Sequence, residues 1–301
     1  PQATTMQSPN HPLNGTHWRL RAAAWLQRSA LAGVAMLLAG LAGLAQAATL
    51  ALDGAHGPRQ LDGAALARHP QAQDIAVPGD VAYQRPMRYR AVPLAVVLRE
   101  LGLGPSDTLE AVATDGFVAQ LPGALVLAQS PGQPQPWLAI EPDGAPWPAL
   151  PGKAASAGPF YIVWPQNAGV RSEQWPYAVA RLNVRAAPDK RWPQIAVAAQ
   201  VPAGDRLRRG QSLFVVQCMV CHRMNGGGDA QVGPDLNLPM NPTEYFQPQA
   251  LRQLVRNPAS VRHWPTQLMP GFGPEQISDA ELDDLLAYLA HMARQRQTAT
   301  P

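Results

Sequence analysis

The stretch Cys218-Met219-Val220-Cys221-His222 uses both cysteines of the 301-residue chain. Two thiols separated by two residues lie about one helical turn apart, and an imidazole follows at once. That spacing serves three chemistries: a redox-active disulfide, half of a zinc site, or the attachment of a haem through two thioethers with the histidine on its iron. Zinc requires further ligands close by, and the next histidine is His263. A thioredoxin-like dithiol ends a strand, whereas the residues flanking this motif are patterned as helix. The motif therefore predicts one covalent haem c per chain, bound through Cys218 and Cys221, with His222 as an axial ligand of the iron.

The length suggests two domains with separate cores. The 32 prolines and 25 glycines point to a loop-rich fold. Residues 30–44 form an apolar run preceded by Arg19, Arg21 and Arg28 and followed by Ala45-Gln46-Ala47. That order predicts a signal peptide over residues 1–47, cleaved between Ala47 and Ala48, and hence a periplasmic location. Membrane contact is expected only if this segment is retained as an anchor. Removing its three arginines leaves 21 basic side chains against 21 acidic ones. A chain so balanced gives no reason to expect a nucleic-acid partner.

Residues 48–185 show mixed patterning. Short helices are expected within 59–70, with Asp62 as N-cap, and over 93–101, with Pro93 at the first helical position. Strand-like pieces fall at 74–77, 109–113, 117–121, 137–140, 160–163 and 178–184, separated by turns such as Asp115-Gly116 and Asp143-Gly144. This is an α+β region with a mixed or antiparallel sheet. The segment 186–204, with Pro188, Pro193 and Pro202-Ala203-Gly204, reads as a linker. An all-α domain is expected over 205–301.

The run from Val112 to Pro122, with Trp137-Leu138-Ala139-Ile140 and Gly158-Pro159-Phe160-Tyr161-Ile162-Val163-Trp164-Pro165, resembles the molybdopterin-binding domain of sulfite-oxidase-like proteins. That family binds molybdenum through a cysteine thiolate, and no cysteine lies between Ala48 and Pro202. The resemblance thus implies a related fold without its metal centre, used for docking or packing.

From Asp205 the layout resembles a class I cytochrome c. Asp205 is a candidate N-cap of a first helix that carries Leu207, Gln211 and Phe214 into the motif. A middle helix spans 249–257. A last helix opens on the Ser278/Glu281 capping box and presents Leu282, Leu285, Leu286 and Leu289 towards Phe214. The resemblance implies that the carbonyl of Pro234 accepts a hydrogen bond from His222. It also implies that Met269, in Met269-Pro270, is the second axial ligand; Met240 is the alternative, and Arg262 and Trp264 are candidates to meet haem propionates. With both axial positions filled, the function expected is one-electron transfer rather than catalysis, through the haem edge near Cys218. The expected partner is a periplasmic or membrane oxidase, reductase or dehydrogenase, with the middle region as a docking module. In the alternative, that region is itself catalytic and passes electrons to the haem; in a third, the chain is a sensor or assembly protein.

Overall fold

The structure, a computed structural model, describes residues 48–296 except 129, 131 and 168. The signal-peptide reading lies outside the described residues. Among the described residues the N-terminal part holds nine strands. β1 (Thr49–Asp53) and β2 (Arg59–Asp62) lead into α1 (Gly63–Ala67), and then follow β3 (Gln73–Val77) and β4 (Met87–Pro93). α2 (Leu94–Leu98), β5 (Asp107–Ala113), β6 (Val118–Pro122), α3 (Gly123–Val126), β7 (Trp137–Ile140), β8 (Phe160–Val163) and β9 (Val179–Ala186) complete it.

These strands form two sheets. One has the order β2-β1-β9-β5-β6, antiparallel except for the parallel pair β1 and β9; the other is β3-β4-β7-β8, antiparallel throughout. One hydrophobic cluster draws Leu50, Leu109 and Leu182 from the first sheet and Val77, Leu138 and Tyr161 from the second. β8 is buried at all four positions, which suits its unbroken Phe-Tyr-Ile-Val run. The strands β1, β2 and β4 were not expected from sequence. In β4, Arg88 is exposed and Arg90 half-buried while Tyr89 and Ala91 face the core, so two arginines mask an inward apolar pair. Asp62 does cap α1, accepting from the Ala65 amide at 2.7 Å. Pro93 ends β4 and precedes α2 rather than opening it, because its backbone pairs with Trp137.

The C-terminal part is helical. α4 (Pro188–Arg191) is followed by α5 (Arg206–Leu213), a π-turn over Phe214–Cys218, α6 (Pro242–Tyr245), α7 (Pro248–Arg256), α8 (Pro258–Val261) and α9 (Asp279–Ala293). Asp205 caps α5 through the Leu207 amide at 2.8 Å, and Ser278 and Glu281 close the box at the start of α9. α5 crosses α9 with the Phe214 and Tyr288 rings 5.5 Å apart. At the crossing a Cβ on Gly210 would come within 2.2 Å of the Asp284 carbonyl oxygen, so only glycine lets the helices approach this closely.

The segment read as a linker is part of the helical core. Ile195 and Val197 are buried within it, the Tyr288 hydroxyl donates to the Ile195 carbonyl at 2.7 Å, and the Val197 amide donates to Gln211 at 2.7 Å. Its prolines rigidify a packed strap. Among the described residues no helix is long and apolar enough to cross a membrane.

Candidate haem-attachment site

The π-turn delivers Cys218 to the end of the first helix through a Met219 amide bond to the Phe214 carbonyl at 2.8 Å. The wider turn is a deviation often found at functional positions. One turn later the Cys221 and His222 amides both bond to the Cys218 carbonyl, which holds the motif in a tight coil. Both cysteines are free thiols. Burial pushes the Cys218 thiol up to about 12 and raises Cys221 as well, so both stand as protonated thiols at neutral pH. Among the described residues no cluster of three or more Cys, His, Asp and Glu side chains forms.

His222 is the best-defined group of the site. Its Nδ1 lies 2.8 Å from the carbonyl oxygen of Pro234. A carbonyl only accepts, so Nδ1 carries the proton and Nε2 keeps its lone pair free for a metal. Burial pulls the imidazole's pKa down, an effect opposed by the Pro234 bond, and favours this neutral form. The chain returns to His222 through the Gly233 amide, which bonds to the Cys221 carbonyl at 2.7 Å. A Cβ on Gly233 would sit 2.5 Å from Cε1 of the ring. Asp235 fixes the same loop by accepting from the backbone amides of Asn225, Gly226, Asn237 and Leu238.

Met269 is half-buried on the loop before α9. Its neighbours Leu268 and Pro270 line a cavity of about 810 Å³ that is also lined by Val220 and Cys221, so this loop and the attachment motif share one space. Neither Met269 itself nor Met240, which is exposed, is among the residues lining that cavity. Met292 is buried in the helical core. Arg262 lies over the Trp264 ring at 5.5 Å.

The chain's residues fit a haem. The large apolar side chains exposed among the described residues are Val232, Met240, Tyr245, Trp264 and Leu268. All belong to the stretch between the motif and Met269, where a flat apolar macrocycle would cover such side chains. Cys218 and Cys221 would hold the group covalently, and Nε2 of His222 would meet its iron.

The face of the motif near Cys218, expected as an open electron port, is turned towards the sheets. β6 and the short turn Ser172–Gln174 lie against the π-turn. The cavity's far wall comes from the same side, with Phe117, Val118, Glu173 and Trp175. Two arginines join the regions. Arg171 donates to the Gln276 carbonyl at 3.0 Å and pairs with Glu281 on α9. Arg191 joins the buried Glu110 of β5, at 2.7 Å, to Asp229 of the loop after the motif, at 2.9 Å. Sequence reasoning singled out the two cysteines, His222, Pro234 and Met269, of which the structure shows the His222 to Pro234 contact, and it missed Gly233, Asp235 and both arginines. Of these, only the Gly-Pro-Asp run signalled a shaped turn.

Comparison with known proteins bears on the helical part. A search of curated proteins found none matching the chain. The match to a family model begins after the sheets and lends no support to a molybdopterin-like reading of them. It spans residues 207–293 and is to cytochrome c, so this part of the chain is a cytochrome c domain, built for covalent haem and electron transfer.

Proposed function

We propose that the chain is a periplasmic electron carrier with one haem per chain, its iron held between His222 and Met269, and that the sheet region presents this haem to a redox protein of the periplasm or membrane. The observation that carries the reading is the His222 to Pro234 bond, which leaves Nε2 unprotonated beside two thiols at attachment spacing. The haem supplies one-electron chemistry, and a thioether ligand favours its ferrous state. The chain's own residues orient the imidazole, shield the motif from water and supply the sulfur of Met269. Location rests on the apolar segment 30–44, with Arg19, Arg21 and Arg28 before it and Ala45-Gln46-Ala47 after it.

Protein matured in a periplasm and purified tests the reading. The expected result is an N-terminus at Ala48, one covalent haem per chain by denaturing gel and pyridine haemochrome, and low-spin spectra of histidine and methionine coordination. A high-spin or bis-histidine spectrum would refute the ligand set. Retention of the chain in the cytoplasmic fraction would refute the location.

A further inference from the structure

The short turn Ser172–Gln174 carries a carboxyl from the sheet region to the attachment motif. It packs against the π-turn that ends in Cys218 and against β6. Its Glu173 is half-buried and lines the haem cavity together with Met219, Val220 and Cys221. Among the described residues Glu173 forms no ion pair, and its side-chain bond, from the Ser172 hydroxyl, is long at 3.4 Å. The cations of the junction are committed elsewhere. Arg171, just before the turn, pairs with Glu281; Arg191 joins Glu110 to Asp229; Lys153 donates to the Tyr177 hydroxyl. A carboxylate withdrawn from water without a partner is costly, and burial accordingly raises the pKa of Glu173, with the Ser172 bond opposing.

The charge of Glu173 reaches the motif. Burial is the main cause of the raised pKa values of Cys218 and Cys221, and the charge of Glu173 adds to it at both thiols. Those sulfurs are the atoms to which a haem would bond, so a carboxyl coupled to them is coupled to the charge of the group attached there. The other titratable groups facing the cavity are Asp115, Lys153, Tyr177 and Asp229. Asp115 accepts from the Phe117 amide, and Asp229 holds Arg191. From β6 the lining is Val118 and Gln120, and from the π-turn it is Gln217, none of which ionises.

We infer that Glu173 is a tuning residue for electron transfer, binding a proton when the iron is reduced and releasing it when the iron is oxidised, so that the sheet region gives the haem a pH-dependent reduction potential. This role depends on the haem being attached at Cys218 and Cys221, as proposed. On reduction one electron enters from the redox partner and one proton from water joins the Glu173 carboxylate; on oxidation both leave. An opposite charge favours the ionised form of a carboxyl, so the more positive ferric site keeps Glu173 ionised and the ferrous site lets it take up the proton. The potential therefore falls as pH rises between the two pKa values.

Reduction potentials of the haem-loaded full chain are measured from acidic to alkaline pH for the parent, Glu173→Gln, Glu173→Asp and the control Asp115→Asn. Redox-difference infrared spectra are recorded within the sloping range. The expected parent curve falls with pH at up to about 59 mV per unit, the one-electron equivalent of a tenfold change. Glu173→Gln should lack that segment and stay on the parent's acidic plateau, whereas Glu173→Asp should restore a slope and Asp115→Asn should keep it. The reduced-minus-oxidised spectrum of the parent should show the C=O stretch of a protonated carboxyl, absent from Glu173→Gln. A merely structural role moves neither the slope nor this band, and haem propionates titrate alike in parent and variant. Unchanged low-spin absorption certifies each variant as folded. A pH-independent parent, or the same slope in Glu173→Gln, overturns the inference. Failure of the haem reading looks different: another axial ligand displaces every curve without altering the difference in slope, and a chain that takes up no haem shows this in its absorption and overturns both.

Discussion

Gly233 stands where a methyl group would press on the imidazole of His222, 2.5 Å from Cε1. Gly233→Ala must push either the ring or the loop that carries Pro234, and overpacking of this kind costs about 1–3 kcal/mol. The expected outcome is a chain that still takes up haem but shows heterogeneous axial coordination in electron paramagnetic resonance, with a lower thermal midpoint. Met269→Ala tests the proposed second axial ligand. If Met269 holds the iron, its loss lowers the reduction potential, measured by redox titration, and removes the sulfur-to-iron absorption of the ferric protein. The two cysteines and His222 were legible in sequence because attachment chemistry demands contiguous spacing. The Pro234 contact was legible only through resemblance to a family. Gly233 was illegible as a contact, because its need arises when the loop folds back on a ring eleven residues earlier.

The starts of α5 and α9 were read well because caps are local: Asp205, Ser278 and Glu281 each bond within three residues of themselves. Strands were read unevenly, since β1 pairs with β9 across most of the sheet region and nothing in Thr49–Asp53 announces that partner. The same contrast appears at the end of α9. Asn237 donates to the Met292 carbonyl at 2.7 Å and to Asn225 at 2.7 Å, and Asn241 donates to Asn237 at 2.8 Å and to the Leu289 carbonyl at 3.1 Å. In sequence these asparagines look like ordinary loop residues; in the fold they tie the loop after the motif to the last helix. Asn237→Leu removes a donor to the Met292 carbonyl and the acceptor of one Asn241 bond, while the Gln295 amide and the Leu289 carbonyl still serve these groups, and it is expected to destabilise by roughly 1–3 kcal/mol. Chemical denaturation followed through haem absorbance measures it. Gly210→Ala should also destabilise, although alanine improves helix propensity by about 1 kcal/mol. The clash is with the backbone of Asp284, which cannot rotate away, so separation of α5 from α9 outweighs the gain. A stabilised Gly210→Ala variant would show that the crossing is looser than described.

Across the whole molecule, the junction of sheets and cytochrome depends on two arginines whose partners titrate. Burial alone would raise the Glu110 carboxyl, but bonds from Asn183 and Arg191 outweigh it and hold the group below the usual carboxylate range. Arg171 holds Glu281 down from an ordinary 4.5 to about 2, with the Ser278 bonds assisting. A carboxylate depressed in the folded state stabilises fully above its unfolded pKa and loses that contribution as pH falls through the folded value. For Glu281 the window runs from about 4.5 down to about 2. Its side chain is 38 % exposed, so solvent screens the pair and its share is small beside the packing of the junction. Arg171→Ala should therefore lower stability at pH 7, and its deficit relative to the parent should shrink as pH falls through that window. The deficit should not vanish, because Arg171 also donates to the Gln276 carbonyl, which does not titrate. Denaturation curves followed in parallel by tryptophan fluorescence, which reports on the sheets, and by haem absorbance separate these effects. Coincident transitions in the parent and divergent ones in an Arg171→Ala, Arg191→Ala double variant would identify the arginines as what makes two cores unfold together. Coincident transitions in the double variant would assign that coupling to the packed strap around Ile195 and Val197 instead.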